Sequence, residues 1–196
     1  MQGSKIQLSE SELELACNAG IILTKNSIIS KTIALLGSVE ESIAEQTDRG
    51  KLFSISPKIS RGEYYEGLPY VVLDYPRYSR SPDLCFIRTM FWWGHFFSST
   101  LQLSGNIKTK YIPAIEASYG ILAENEYYIG INTDPWQHHF EDNNYVPIRT
   151  LSAGAFQAIL MEQEHIKIAA KLPLLEWQHA AGFMINSWNL LAGLIT

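Results

Sequence analysis

Residues 84–103, LCFIRTMFWWGHFFSSTLQL, decide the fold. Two runs of β-forming residues flank Trp93-Gly94, and glycine readily takes the positive φ of a tight hairpin turn. Reading Trp93 and Gly94 as a two-residue turn predicts strands near Leu84–Trp93 and His95–Leu103. In that register Trp92/His95, Met90/Phe97, Arg88/Ser99, Phe86/Leu101 and Leu84/Leu103 share one face. Phe91/Phe96, Thr89/Ser98, Ile87/Thr100 and Cys85/Gln102 share the other. The first set is the more apolar and is expected to face the core, since a one-residue slip would exchange the two.

Arg88 then points inward among Met90, Phe86, Phe97 and Leu101, where an always-charged guanidinium needs a partner. Asp74 is the internal candidate: on a neighbouring strand near Leu68–Tyr75 it shares a side with Leu68, Tyr70 and Val72. The alternative is the carboxylate or phosphate of a small ligand, which guanidinium binds bidentately. Trp92 and His95 end the same face, and Tyr75, Pro76 and Arg77 follow the Asp74 strand. Arg88, Asp74, Trp92, His95, Tyr70 and Arg77 are therefore the candidate ligand-binding residues, with an aromatic core plug as the structural alternative for the tryptophans.

Outward from the hairpin, Ser9-Glu10-Ser11-Glu12 has the pattern of a capping box. A helix from about Glu10 to Thr24 is expected after it, a stop at Lys25-Asn26-Ser27, and a second helix from Ile28 to Gln46 whose Ile29, Ile33, Leu36 and Ile43 recur at helical spacing. Pro113 suits the first turn of a short helix to about Ala123. A strand is expected at Tyr127–Asn132, a polar loop from Asp134 to Asn144, and a strand at Tyr145–Thr150. Ser152 would cap a helix to about Lys171, and after Pro173 a final helix, Leu174 to Leu194, would bury Trp177, Ala181, Met184, Trp188 and Leu191. Consecutive strands without intervening helices imply antiparallel pairing. The expectation is one α+β domain over residues 1–196. Its sheet is mainly antiparallel, with a central hairpin at about 84–103, and the N-terminal helical hairpin and the C-terminal helices pack on one face.

The chain has 196 residues, 15 Lys+Arg and 20 Asp+Glu, giving a net charge of −5, with 18% charged, 12% aromatic and 46% hydrophobic residues. Such a composition excludes disorder. It carries no basic run for a phosphate backbone, so nucleic acid is not expected as a partner. No basic-then-apolar leader opens the chain, and Asn186, Ser187 and Asn189 interrupt the apolar segment Ala180 to Ile195, so no membrane association is expected and a cytoplasmic location is. Cys17 and Cys85 read as reduced, buried thiols.

The loop Asp134 to Asp142 holds His138, His139 and three carboxylates, the residue types of zinc, iron or manganese sites. Adjacent histidines diverge on extended chain, however, so no metal or other cofactor is expected, and the loop reads as solvated or as a binding lid. No Gly-x-Ser-x-Gly elbow, phosphate loop or paired-cysteine motif occurs. The leading functional expectation is a small-ligand-binding domain with Arg88 anchoring an anionic or aromatic ligand. A hydrolase using His95 or the His138/His139 pair, a protein-interaction module and a homodimer are the alternatives.

Overall fold

In the computed structural model the described residues are 6–46 and 55–196. Their strands are β1 (Lys58–Tyr65), β2 (Leu68–Arg80), β3 (Asp83–Trp92), β4 (Phe96–Ser104), β5 (Tyr128–Gly130), β6 (Tyr145–Pro147) and β7 (His165–Pro173). All pair antiparallel in one seven-stranded sheet of order β1-β2-β3-β4-β7-β5-β6. The helices are α1 (Glu10–Cys17), α2 (Ala19–Gln46), α3 (Gly105–Ala117), α4 (Tyr119–Glu124), α5 (Ala153–Glu162) and α6 (Ala180–Gly193). The α+β class, the mainly antiparallel sheet and the helices at both ends agree with expectation.

The hairpin register differs from expectation by one residue. Trp93, Gly94 and His95 make a three-residue turn closed by His95 N–H donating to the Trp92 carbonyl, with Gly94 at φ +76°. Trp92 therefore pairs with Phe96, Met90 with Ser98 and Arg88 with Thr100. Phe97, Leu101 and Leu103 move to the side of Cys85, Ile87 and Phe91, and all six are at most 2% exposed. Burying one such side chain stabilises by roughly 1.5–3 kcal/mol. A slip of β4 would expose three of them at once and bring in Ser98, Thr100 and Gln102, a loss no turn preference offsets. The main core thus lies on the side opposite Arg88, which corrects the expected assignment of faces.

Helices α2 to α6 cover that core side, with Ile115, Leu122, Phe156, Leu160, Met184 and Leu191 packed against the strands. In α2 the buried positions Ile29, Thr32, Leu36, Val39 and Ile43 recur at helical spacing. The predicted stop at Lys25-Asn26-Ser27 and the N-terminal helical hairpin built on it are absent: one helix runs through that stretch, and the break falls at Asn18, where a single residue is too short for the two helices to fold back on each other. The Ser9 capping box is present, with Glu12 N–H donating to Ser9 Oγ and Ser9 N–H to the Glu12 carboxylate.

Four further expectations are overturned. The helix to Lys171 ends at Glu162, and residues 165–173 form β7, the strand between β4 and β5. The expected final helix begins as a 3-10 helix, Leu174–His179, before α6. Pro113 lies inside α3 and not in a first turn. Cys85 is fully buried, but Cys17 is exposed on α1.

Candidate functional site

The second face of the sheet carries the even-numbered side chains of β3, of β4 and, as far as Asp74, of β2, and is covered by the chain from residue 131 to 144. Its apolar part is small: Val72, Met90, Trp92 and Phe96, with Tyr65, Leu68, Tyr70 and Phe140 packed on them. The remainder is polar and buried. Asp74 stands directly opposite Arg88 across the β2/β3 pair. Arg88 Nε donates to Asp74 Oδ1 at 2.7 Å and Nη2 to Oδ2 at 2.8 Å, while Nη1 lies 3.2 Å from His138 Nε2. Burial, then the neighbouring Arg88 charge, push the His138 pKa down to about 3. The imidazole is neutral, so Nε2 accepts from the guanidinium and the proton sits on Nδ1. Arg88 thereby ties the covering loop to the sheet.

A second cation lies on β7. Lys167 is fully buried, its Nζ donating to the Gln137 carbonyl at 2.5 Å and to Asn144 Oδ1 at 3.2 Å, and it sits 4.8 Å from the Tyr145 ring centroid. No carboxylate reaches it among the described residues, and burial pushes its pKa down to about 8. Glycine at 130 makes the space: a Cβ there would come within 2.9 Å of Lys167 Cβ and Cε. Tyr65 secures the same loop, its Oη accepting from His138 N–H at 2.7 Å and His139 N–H at 3.2 Å.

At the start of β7 this face opens into a cleft of about 460 Å³ lined by Pro82, Leu84, Gln102, Thr133, Pro135 and His165, among others. Gln102 is 4% exposed and His165 8% exposed. Both side chains face the cleft, and neither makes a side-chain hydrogen bond to the described residues. Burial, then the Lys167 charge, lower the His165 pKa, which keeps the ring neutral. Each of these groups offers one donor and one acceptor edge.

No protein-family model, curated protein or solved structure matches this chain.

Of the residues expected to bind ligand, Arg88 and Asp74 satisfy each other. Tyr70 packs in the small apolar cluster, its ring crossing Gly62 of β1, where a Cβ would come within 2.4 Å. Trp92 is buried and stacks on the exposed His95 ring at 3.6 Å and 8°. Arg77 lies beyond the β2 irregularity and donates Nε to the Ser56 carbonyl. These six residues therefore do not converge on one cavity. His139 accepts from Glu141 N–H while His138 faces Arg88. Among the described residues no three His, Cys, Asp or Glu side chains gather as metal ligands. Sequence reading missed Gln102, His165 and Lys167. The signal was there in Ile166, Ile168 and Ala170, which alternate with His165, Lys167 and Ala169 as in a strand.

Proposed function

We propose that the protein is a small-ligand-binding domain whose ligand is a neutral, planar ring with adjacent hydrogen-bond donor and acceptor groups. The observation that carries this is a pair of polar side chains, Gln102 and His165, that line one cleft with no side-chain hydrogen bond to the described residues. The polar edges of both face the solvent of the cleft, and a complementary edge that replaces that water contributes about 0.5–1.5 kcal/mol net per hydrogen bond. An amide pairs two-point with a heterocycle edge, as Gln does with adenine. Pro82, Leu84 and Pro135 supply apolar walls for the ring faces.

Charge argues against an anionic ligand here. Glu164 lines the cleft, Asp83 caps α3 beside it through Asn106 N–H, and Arg88 is neutralised by Asp74. The Lys108 ammonium is engaged by the Gln163 carbonyl, and Lys167 is turned to Gln137 and Asn144. The test is saturation-transfer NMR with free adenine and free uracil as probes. Binding of at least one is expected, weakened about tenfold or more by Gln102→Leu, which leaves the shape but removes the amide edge. Silence of both probes on the unmodified protein, or undiminished binding by the variant, would overturn the reading.

A further inference from the structure

On the core side of the sheet, at the Trp93-Gly94 turn, a second cleft of about 380 Å³ is walled by Ile28, Phe91, Trp93, Leu174 and Trp177, with Lys31 at its edge. A shallower hollow continues from it along Asn18, Ile21, Thr24 and Lys25, sharing Ile28 and Trp93 as walls. Beside this groove stands an unpartnered apolar segment. No residue of α1 is buried, and Leu13 and Leu15, with Ile21, Ile22 and Leu23 of α2, are 44–67% exposed. An apolar groove and an apolar helix, both open on one molecule, mark an association surface.

The segment cannot fill the groove of its own chain. Asn18 alone separates α1 from α2, whereas two antiparallel helices need a connection of about 2–5 residues to fold back on each other. Nor does a bilayer suit α2, although by length and composition Ala19–Glu45 could cross one. Its second half is fixed in the core by Ile29, Leu36, Val39 and Ile43, each at most 5% exposed. What remains free, residues 19–28, spans roughly 15 Å, about half of a hydrocarbon core.

Charge selects the occupant. Glu10 and Glu14 flank the Leu13/Cys17 side of α1 at helical spacing, and α1 carries no basic residue. The groove offers Lys31, which is exposed and makes no ion pair among the described residues, whereas Lys25 is already paired with Glu63. We propose that the Trp93/Trp177 groove receives α1 of a second copy of this chain, giving a two-fold symmetric dimer in which each copy lends one arm. Leu13 and Cys17 enter the cleft, and Glu10 and Glu14 meet Lys31.

Sedimentation velocity of the full chain over a wide concentration range tests this. A monomer–dimer equilibrium is expected. Leu13→Glu and Lys31→Glu should each weaken it about tenfold or more, and Glu10→Lys/Glu14→Lys added to Lys31→Glu should restore it. Glu12 is left in place because it completes the capping box, and circular dichroism confirms that the variants, all at exposed positions, remain folded. A chain that stays monomeric throughout, a dimer indifferent to Lys31→Glu, or a monomer that instead cosediments with phosphatidylcholine vesicles overturns the proposal.

Discussion

Arg88 and Asp74, directly opposed on β3 and β2, meet through two parallel hydrogen bonds, and the third guanidinium nitrogen reaches His138 on the loop above. The pair is mostly withdrawn from water, with 21% of the Arg88 side chain and 9% of the Asp74 side chain exposed. Removing one member of a buried pair strands the other, at about 3–5 kcal/mol. Residual exposure of Arg88 places its case at the lower end. Urea unfolding of Arg88→Met should therefore show a loss of about 3 kcal/mol. Arg88→Met/Asp74→Leu should lose less than Arg88→Met alone, because no stranded carboxylate remains. Equal midpoints for wild type and Arg88→Met would show that the pair contributes nothing.

Lys167 makes stability depend on pH in the alkaline range. Its folded pKa, about 8, lies below the usual 10.5, so between those values the unfolded chain holds the proton more tightly. Stability contributed by this site accordingly rises as pH rises through 8 toward 10.5, and the penalty is fully present below 8. The shift corresponds to about 3 kcal/mol. Measured against Lys167→Met at each pH, which cancels the tyrosines and other lysines, wild type should gain on the order of that amount between pH 7 and 10.5. A constant difference across the range would contradict it.

The two cysteines should separate cleanly by reactivity. Cys17 is exposed, whereas Cys85 is fully buried and its thiol is pushed up to about 12 by burial. At concentrations low enough to hold the chain monomeric, a chromogenic disulfide reagent should titrate one thiol per folded chain, and two after denaturation. Two fast thiols in the native protein would mean that β3 is not packed beneath the helices as described.

How much could be read beforehand depended on whether local signals agreed with tertiary ones. The hairpin, the opposition of Asp74 to Arg88 and the α2 stripe were legible because residue spacing alone carries them. The register was not, since Gly94 suits a two-residue and a three-residue turn equally, and the choice is made by which set of β4 side chains the helices bury. β7 was obscured by its composition: Ala169, Ala170, Lys171 and Leu172 are good helix formers and follow α5 without a Gly or Pro break. β1 is largely exposed at the sheet edge, with Lys58, Arg61 and Glu63 in it, so it lacks an apolar rhythm. The cleft at Gln102 and His165 was invisible for the same reason as β7, one wall being that strand.

The place of β7 between β4 and β5 also sets the order in which the molecule can assemble. Up to residue 164 the growing chain holds a four-stranded piece ending at β4 and a separate β5–β6 pair, each with an open edge and no way to join. Only when β7 emerges do its pairings with residues about 70 positions earlier weld the halves together, a long-range closure of the kind that slows folding. Until then the β4 and β5 edges are raw in addition to the β1 and β6 edges that the finished sheet keeps, so this chain is more open to edge-to-edge aggregation during synthesis than after it.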